Sequence, residues 1–311
     1  MTSSENYAAN PSSGQSADGP VNDSVNHSVD HSVNRSANRS VNHSVNRIDT
    51  RFATLAAASR KAFLTYLVAG DPAPECTVAA MHALVAGGAD LIELGVPFSD
   101  PVAEGPTIQA GHERALRHGC TLQGVLAMVA DFRRTDPVTP LILMGYLNSV
   151  ERPGYAAVAA AAAAAGVDGL LMVNLPPEEA SELRDALRQQ GLHLVLLLAP
   201  TTTSERAQRI AAMASGFLYF VSLKGITGAD HLVVADVRTK LAQLRPLTTL
   251  PLVIGFGVKD AAVARAVAPL ADGVVVGSAI VAMMGELAVR PAEIPGALRD
   301  WAGVMRRAID A

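Results

Sequence analysis

The sequence predicts an α/β fold, a (β/α)8 TIM barrel preceded by a disordered low-complexity N-terminal tail. Residues 48–311 contain eight short apolar segments typical of buried parallel strands, and a helical pattern follows each of them. Eight such units in about 250 residues match the size of this barrel. A doubly wound open sheet is the alternative, but no Gly-x-Gly-x-x-Gly motif follows the first predicted strand.

The first 47 residues form a separate region. From Ser24 to Arg47 the chain repeats a four-residue unit six times, as SVNH, SVDH, SVNR, SANR, SVNH and SVNR. Serine and asparagine compete for backbone hydrogen bonds, and one valine in every four residues cannot form a core. We therefore predict a disordered tail at residues 1–47 and one catalytic barrel domain at residues 48–311.

The predicted strands and helices alternate along residues 48–311. Strands are expected at Ala62–Val68, Leu91–Leu94, Pro140–Tyr146, Gly169–Val173, Leu192–Leu198, Phe217–Leu223, Leu252–Ile254 and Gly273–Val276. Helices are expected at Thr77–Ala86, Thr107–Arg117, Leu122–Arg133, Tyr155–Ala165, Pro177–Gln190, Ser204–Ala214, Leu232–Leu244 and Ala261–Ala268. The strands are apolar throughout rather than alternating, as expected for parallel strands that are covered on both faces.

The composition excludes several classes of protein. The chain is 50% hydrophobic and 17% charged, with a net charge of −4. No apolar stretch is long enough to cross a membrane, we expect no signal peptide, and the acidic balance offers no surface for nucleic acid. Cys76 and Cys120 form no close motif, and we expect no metal site. These features predict a cytoplasmic protein that binds neither membranes nor nucleic acid.

Glycine-rich turns after the last three predicted strands indicate a phosphate site. The segments are Lys224–Gly228, Gly255-Phe256-Gly257 and Gly277-Ser278. Barrel enzymes frequently bind phosphate in this quarter, because glycines let backbone N–H groups approach an anion at a helix start. Each glycine could instead serve only to form a tight turn.

Glu93 lies within the apolar second strand and is the first candidate for catalysis. Burying an unpaired carboxylate is costly, and burial raises its pKa into the range useful for acid–base chemistry. A carboxylate paired with a buried cation is the alternative, but no Lys or Arg lies inside a predicted strand. Asp100 and Glu104 follow in the next loop and could be a second acid or loop caps.

The four lysines, Lys61, Lys224, Lys240 and Lys259, avoid the second halves of the predicted strands. A Schiff-base aldolase is therefore disfavoured, although Lys224 lies in a loop after a strand. A buried acid with a phosphate site instead suits proton transfer or carbon–carbon cleavage.

The segment Leu91–Gln109, LIELGVPFSDPVAEGPTIQ, resembles the signature of the tryptophan synthase alpha chain family. Further similar segments are AFLTYLVAGDP, LMGYLN, GVDGLLMVNLPPEE, LAPTT, SLKGITGAD, GFGVKD and VVGSAIV, so the resemblance covers residues 48–311. It implies the retro-aldol cleavage of indole-3-glycerol phosphate to indole and glyceraldehyde 3-phosphate in L-tryptophan biosynthesis.

The resemblance also implies roles for individual residues. Glu93 matches the catalytic acid–base, and Glu104 stands where the family usually has an aspartate that accepts the indole N–H. The residues expected to bind substrate are Tyr66, Tyr146, Tyr219 and Thr227. The residues expected to bind its phosphate are Gly228, Phe256, Gly257, Gly277 and Ser278.

A partner is implied as well, since alpha chains pair with a pyridoxal phosphate-dependent beta chain as an α2β2 heterotetramer. The resemblance implies no cofactor in this chain. Residues that match the partner interface are Pro97, Asp100, Pro101 and Asn148. Asn174 replaces an aspartate that takes part in interactions with the second loop. A stand-alone indole-3-glycerol phosphate lyase and a weakly catalytic activating subunit remain as alternatives.

Overall fold

Eight parallel strands close into a barrel in the computed structural model, which describes residues 45–221, 231–255 and 257–311. The strands are β1 (Ala62–Val68), β2 (Leu91–Gly95), β3 (Leu141–Gly145), β4 (Gly169–Met172), β5 (His193–Leu198), β6 (Leu218–Val221), β7 (Leu252–Gly255) and β8 (Gly273–Val276). Each strand pairs with the next along the chain, and β8 pairs with β1. The predicted (β/α)8 barrel is confirmed.

The helices of the described chain surround this barrel. They are α1 (Arg47–Ala57), α2 (Cys76–Ala86), α3 (Pro106–Arg117), α4 (Leu122–Arg133), α5 (Asn148–Glu151), α6 (Tyr155–Ala165), α7 (Ser181–Gln189), α8 (Ser204–Met213), α9 (His231–Leu244), α10 (Ala261–Val267), α11 (Ser278–Glu286) and α12 (Ile294–Ile309). None of these described helices is long and apolar enough to span a membrane.

Two differences from the predicted helices concern their number and continuity. The sequence pattern does not predict α1, α5, α11 or α12: α1 precedes the first strand, α5 is a four-residue helix after β3, and α11 and α12 follow β8, after which no helix is expected above. The helix predicted from Pro177 to Gln190 is divided into a 3-10 turn, Pro177–Glu179, and α7. A 3-10 turn is a common way for a helix to begin.

Four side chains at the amino-terminal end of the barrel make the same kind of hydrogen bond between neighbouring strands. Each lies just before an even-numbered strand and accepts a backbone N–H from the odd-numbered strand before it. The pairs are Phe63 N–H to Asp90 (2.8 Å), Leu141 N–H to Asp168 (2.8 Å), Leu194 N–H to Ser215 (3.0 Å) and Leu252 N–H to Asp272 (2.8 Å). The three acceptors that are aspartates also form ion pairs with arginines, namely Arg306–Asp90, Arg133–Asp168 and Arg245–Asp272.

Helix α1 covers this same end of the barrel. Its buried Phe52 packs on Phe217 at a ring-centroid distance of 5.7 Å. Asn46, the residue before the helix, donates to the carbonyl oxygens of Asp168 and Gly191, and Arg47 pairs with the Asp168 carboxylate at 2.7 Å. The last two residues of the tail predicted at 1–47 therefore contact the barrel, and the rest of that tail, apart from Val45, lies outside the described residues.

We expect Asp168→Ala to lower the free energy of unfolding by about 3 kcal/mol or more, because it leaves the mostly buried Arg133 without its carboxylate partner. Urea denaturation measures this change. Asp131→Ala is the matched control, since Asp131 pairs with Arg134 on the exposed surface and its loss should change the same quantity by less than about 1 kcal/mol. Equal effects of the two substitutions would contradict this account of the barrel end.

Candidate active site

A cavity of about 380 Å³ opens at the carboxyl-terminal end of the barrel. This volume is within the range of small-molecule sites, and this end of the barrel is where enzymes of this fold bind their substrates. Its wall combines side chains from strand interiors with loop residues and the first turn of α3. The lining residues are Tyr66, Glu104, Gly105, Pro106, Thr107, Ile108, Met144, Tyr219, Gly257, Val258, Lys259, Val275, Gly277 and Ser278.

Glu93 lies beside this cavity, inside the barrel. It is fully buried, and its register partner on β1 is Tyr66, so the two side chains point to the same side of the sheet. Neither carboxyl oxygen has a hydrogen-bond partner among the described residues. Glu93 is not among the residues that line the cavity, whereas its register partner Tyr66 is.

Both acids of the site have raised pKa values. Burial, reinforced by the nearby Glu104 carboxyl, raises the pKa of Glu93 to about 8. Burial also raises the pKa of Glu104 to about 7. Two neighbouring carboxyl groups with such pKa values titrate as a pair, and one proton remains on the pair between the two steps. Glu93 is the more deeply buried acid, and its pKa is raised further than that of Glu104.

Two buried tyrosines lie across glycines of the neighbouring strands. A Cβ atom at Gly255 on β7 would collide with the Tyr219 hydroxyl, and one at Gly95 on β2 would collide with the Tyr66 hydroxyl. Glycine at these two positions is therefore what allows the rings to lie flat inside the barrel. Burial raises the pKa of Tyr66 and of Tyr219 well above the usual tyrosine value, and the Glu93 and Glu104 carboxyls raise both further.

The cavity wall also contains a surface suited to an anion. Gly277 precedes α11, and no side chain of the described residues caps the start of this helix, so its first N–H groups are available within that part of the chain. Gly257 has a φ of +84°, a conformation that favours glycine. The predicted phosphate residues Gly257, Gly277 and Ser278 thus meet on one wall. Lys259, which the sequence pattern does not assign to the site, lines the same cavity and adds a cation.

The remaining predicted residues are placed as follows. Tyr146 does not line the cavity, but its hydroxyl accepts a hydrogen bond from Ala103 N–H in the loop that carries Glu104 (2.9 Å). Burial raises the pKa of Tyr146 to about 12. Three predicted site residues, Thr227, Gly228 and Phe256, lie outside the described residues.

The predicted partner interface consists of the loops after β2 and β3. Pro97 and Pro101 are buried within the first loop, whereas Asp100 and Asn148 are exposed. Val102 is 84% exposed and extends the exposed surface of the first loop with an apolar side chain.

Comparison with known proteins agrees with this geometry. The sequence model described as "Tryptophan synthase alpha chain" matches residues 52–308. The chain belongs to the tryptophan synthase alpha chain family. A tryptophan synthase alpha chain of Laribacter hongkongensis is 54% identical over 264 residues, which are 85% of this chain and 99% of that protein. The corresponding chain of Nitrosococcus oceani is 53% identical and covers 85% and 97% of the two chains.

Solved structures give the same family. The crystal structure of tryptophan synthase subunit alpha from Legionella pneumophila has a TM-score of 0.80 and 43% sequence identity, covering 86% of this chain and 99% of that one. A tryptophan synthase structure from Mycobacterium tuberculosis in space group F222 matches with a TM-score of 0.78 and 34% identity, covering 86% and 100%.

Asn174 is one departure from the resemblance. The resemblance implies interactions of the family's aspartate with the loop after β2, whereas Asn174 contacts the loop after β3. It is exposed, accepts a hydrogen bond from Leu147 N–H (2.7 Å), and donates to the Asn148 side chain (3.4 Å). Both partners belong to the loop after β3, and the described residues show no hydrogen bond from Asn174 to the loop after β2. The amide can make both bonds because it carries a donor as well as an acceptor.

The protonation of Glu93 predicts how stability depends on pH. The unfolded carboxyl loses its proton near pH 4.5, whereas the folded one keeps it until about pH 8. The free energy of unfolding of the wild type should therefore fall, relative to Glu93→Gln, by up to about 1 kcal/mol per pH unit between pH 5 and 8, and then level off. Urea denaturation of both proteins across this range measures the difference, and a difference independent of pH would contradict the raised pKa.

Proposed function

We propose that this chain is the alpha subunit of a tryptophan synthase and cleaves indole-3-glycerol phosphate to indole and glyceraldehyde 3-phosphate. It acts as a carbon–carbon lyase in L-tryptophan biosynthesis. The observation that carries the proposal is the Glu93 carboxyl, fully buried and without a partner among the described residues, beside a cavity with an anion-binding wall. Membership of the tryptophan synthase alpha chain family selects this substrate among phosphate esters.

The protonation state of the two acids suits the first step of this cleavage. Glu93 holds a proton at neutral pH and gives it to C3 of the indole ring. Glu104 is ionised when Glu93 is protonated, and its carboxylate accepts the indole N–H as positive charge develops on the ring. The different burial of the two acids therefore separates their roles.

Bond cleavage follows and restores the protonated Glu93. The Glu93 carboxylate formed in the first step removes the proton of the side-chain hydroxyl next to the ring. That oxygen forms a carbonyl, the bond between this carbon and C3 breaks, and its electron pair returns to the indole ring. Indole and glyceraldehyde 3-phosphate leave, and the proton that Glu93 gave is replaced by the one it removed.

The opposite wall holds the substrate's phosphate group in this proposal. The N–H groups at the start of α11, the Ser278 hydroxyl and the Lys259 ammonium supply donors and positive charge. Anchoring the phosphate on this wall sets the distance at which the ring reaches Glu93 and Glu104. Part of the binding free energy is thus used to orient the reacting atoms.

We infer further that the loops after β2 and β3 meet a beta chain in an α2β2 assembly. Exposed Asp100, Val102 and Asn148 offer charged, apolar and amide contacts on one end of the barrel. Pyridoxal phosphate would belong to that beta chain, and none of the steps above uses a cofactor in this chain. Binding of a beta chain is the property that distinguishes an alpha subunit from a stand-alone lyase.

Glu93→Gln should abolish indole release, because the amide cannot exchange the proton. Glu104→Ala should lower kcat/KM. The fall should correspond to a loss of roughly 2–4 kcal/mol of transition-state stabilisation, the size expected for one positioned polar contact. Both are measured by indole release from indole-3-glycerol phosphate. Asp131→Ala, on the exposed surface, is the control and should keep wild-type turnover. An unchanged rate in Glu93→Gln would contradict the assignment of the acid–base.

Adding a purified beta chain should raise the rate of indole-3-glycerol phosphate cleavage, and the two chains should co-purify. Asp100→Arg should weaken co-purification, because it reverses an exposed charge in the proposed interface while leaving the buried acids in place. Turnover that hardly changes when the beta chain is added would favour the stand-alone lyase. If cleavage of indole-3-glycerol phosphate is absent before the beta chain is added, and its rate afterwards is unaffected by Glu93→Gln, the result would favour an activating subunit.

A further inference from the structure

Tyr146 contacts the loop after β2 at two points. Its ring stacks on the ring of Phe98, with the ring centroids 4.8 Å apart and the ring planes inclined by 17°. Its hydroxyl accepts a hydrogen bond from the backbone N–H of Ala103 (2.9 Å). One contact lies near the beginning of the loop and the other near its end, so a single side chain spans most of the loop.

Tyr146 is itself fixed at the end of β3. It follows the last residue of this strand and is buried. Its carbonyl oxygen accepts hydrogen bonds from the Ser149 hydroxyl (2.6 Å) and from the Ser149 N–H (3.0 Å). The N–H of the next residue, Leu147, donates to the Asn174 side chain in the loop after β4 (2.7 Å). Tyr146 is therefore held by contacts that do not involve the loop after β2.

The loop after β2 contains little buried surface of its own. Ser99, Asp100, Val102 and Ala103 are all exposed. Segments with few buried contacts open at a low cost in free energy. Glu104 follows Ala103 directly, and its side chain is buried at the cavity wall. A movement of Ala103 would therefore also move the acid that the proposed reaction uses.

The hydrogen bonds of Glu104 itself do not reach another strand. Its backbone N–H donates within its own loop, and its carbonyl oxygen accepts from the Gln109 side chain on α3 (3.0 Å). In the described part of the chain, the bond between Ala103 and Tyr146 is the one hydrogen bond that joins residues 99–105 to the loop of another strand. Tyr146 thus fixes this part of the loop to the barrel.

We propose that Tyr146 is a positioning residue, which anchors the loop after β2 so that the Glu104 carboxyl stays at the cavity wall. This inference rests on the proposed function and deepens it, because it adds a residue that acts on the reaction through Glu104. Tyr146 does not line the cavity, and the hydroxyl and the ring are both engaged with the loop. The resemblance implies substrate binding by Tyr146, and the experiments below separate the two roles.

Tyr146→Phe tests the hydrogen bond, because it removes the hydroxyl and keeps the stacked ring. In the indole-release assay, kcat should fall by about tenfold, since a displaced Glu104 carboxyl loses part of its contact with the transition state. KM should stay within about twofold of the wild-type value, because Tyr146 does not line the cavity. A raised KM with an unchanged kcat would indicate a substrate contact and would overturn the proposal.

Two further variants test the ring and the effect of removing a hydroxyl in general. Phe98→Leu removes the stacked ring but keeps the N–H of residue 98, which donates to Nδ1 of His112 on α3 (3.2 Å). It should lower kcat by about threefold, the size expected for one aromatic pair. Tyr155→Phe is the matched control. Tyr155 begins α6, its hydroxyl forms no hydrogen bond with the described residues, and kcat should not change.

A double variant separates positioning from a general structural effect. When Tyr146→Phe is combined with Glu104→Ala, the carboxyl group that Tyr146 positions is already absent. Loss of the hydroxyl should then lower kcat by less than about a further twofold. If kcat falls in this background by the same factor as in the wild type, Tyr146 acts independently of Glu104, and the proposal would be overturned.

Hydrogen–deuterium exchange tests the anchor without turnover. Ala103 is exposed, and the bond to Tyr146 protects its amide. The peptide that contains Ala103 and Glu104 should exchange up to about tenfold faster in Tyr146→Phe, and at the wild-type rate in Tyr155→Phe. Equal exchange in all three proteins would overturn the proposal even in an active enzyme. A wild type that releases no indole would instead contradict the proposed function, whereas the exchange result would still decide whether Tyr146 anchors the loop.

Discussion

The site depends on one constraint, a carboxyl group kept inside a closed barrel without a partner among the described residues. Glu93 can be tolerated there because it keeps a proton at neutral pH, which avoids burying a charge. The same proton is the one that the proposed reaction needs. The burial of Glu93 lowers the free energy of unfolding as the pH rises above 5. The same burial raises the pKa of Glu93 and so supplies the proton for the proposed reaction.

The two ends of the barrel divide stability and function between them. At the amino-terminal end, Asp90, Asp168 and Asp272 are paired with arginines and accept strand N–H groups, so their charges are compensated. At the carboxyl-terminal end, Glu93 and Glu104 form no ion pair with the described residues, and their pKa values rise instead. Carboxyl groups thus serve opposite purposes, because the three aspartates have arginine partners and the two glutamates have none in the described part of the chain.

Helix α3 connects the parts of the site. Its first turn forms cavity wall, His112 in its middle contacts Tyr66, and Arg114 near its end fixes Asp71. The loop before it carries Glu104 and the exposed residues proposed to meet a partner. Since Phe98 of that loop donates to His112, a movement of the loop would change the hydrogen bonding of Tyr66. The proposed partner surface and the cavity wall at Tyr66 are therefore joined by adjacent contacts.

The sequence by itself determined the eight strands, the buried position of Glu93 and the glycine-rich turns on the anion-binding wall. These follow from local patterns, namely apolar runs, one acid inside such a run, and glycine after strands. It did not identify His112, Lys259 or the role of Asn46 and Arg47. His112 and Tyr66 are 46 residues apart, and no periodicity shows that α3 brings one against the other. Only the tertiary structure decides that contact, because α3 reaches Tyr66 once β1 and β2 have paired side by side and the helix has packed against them.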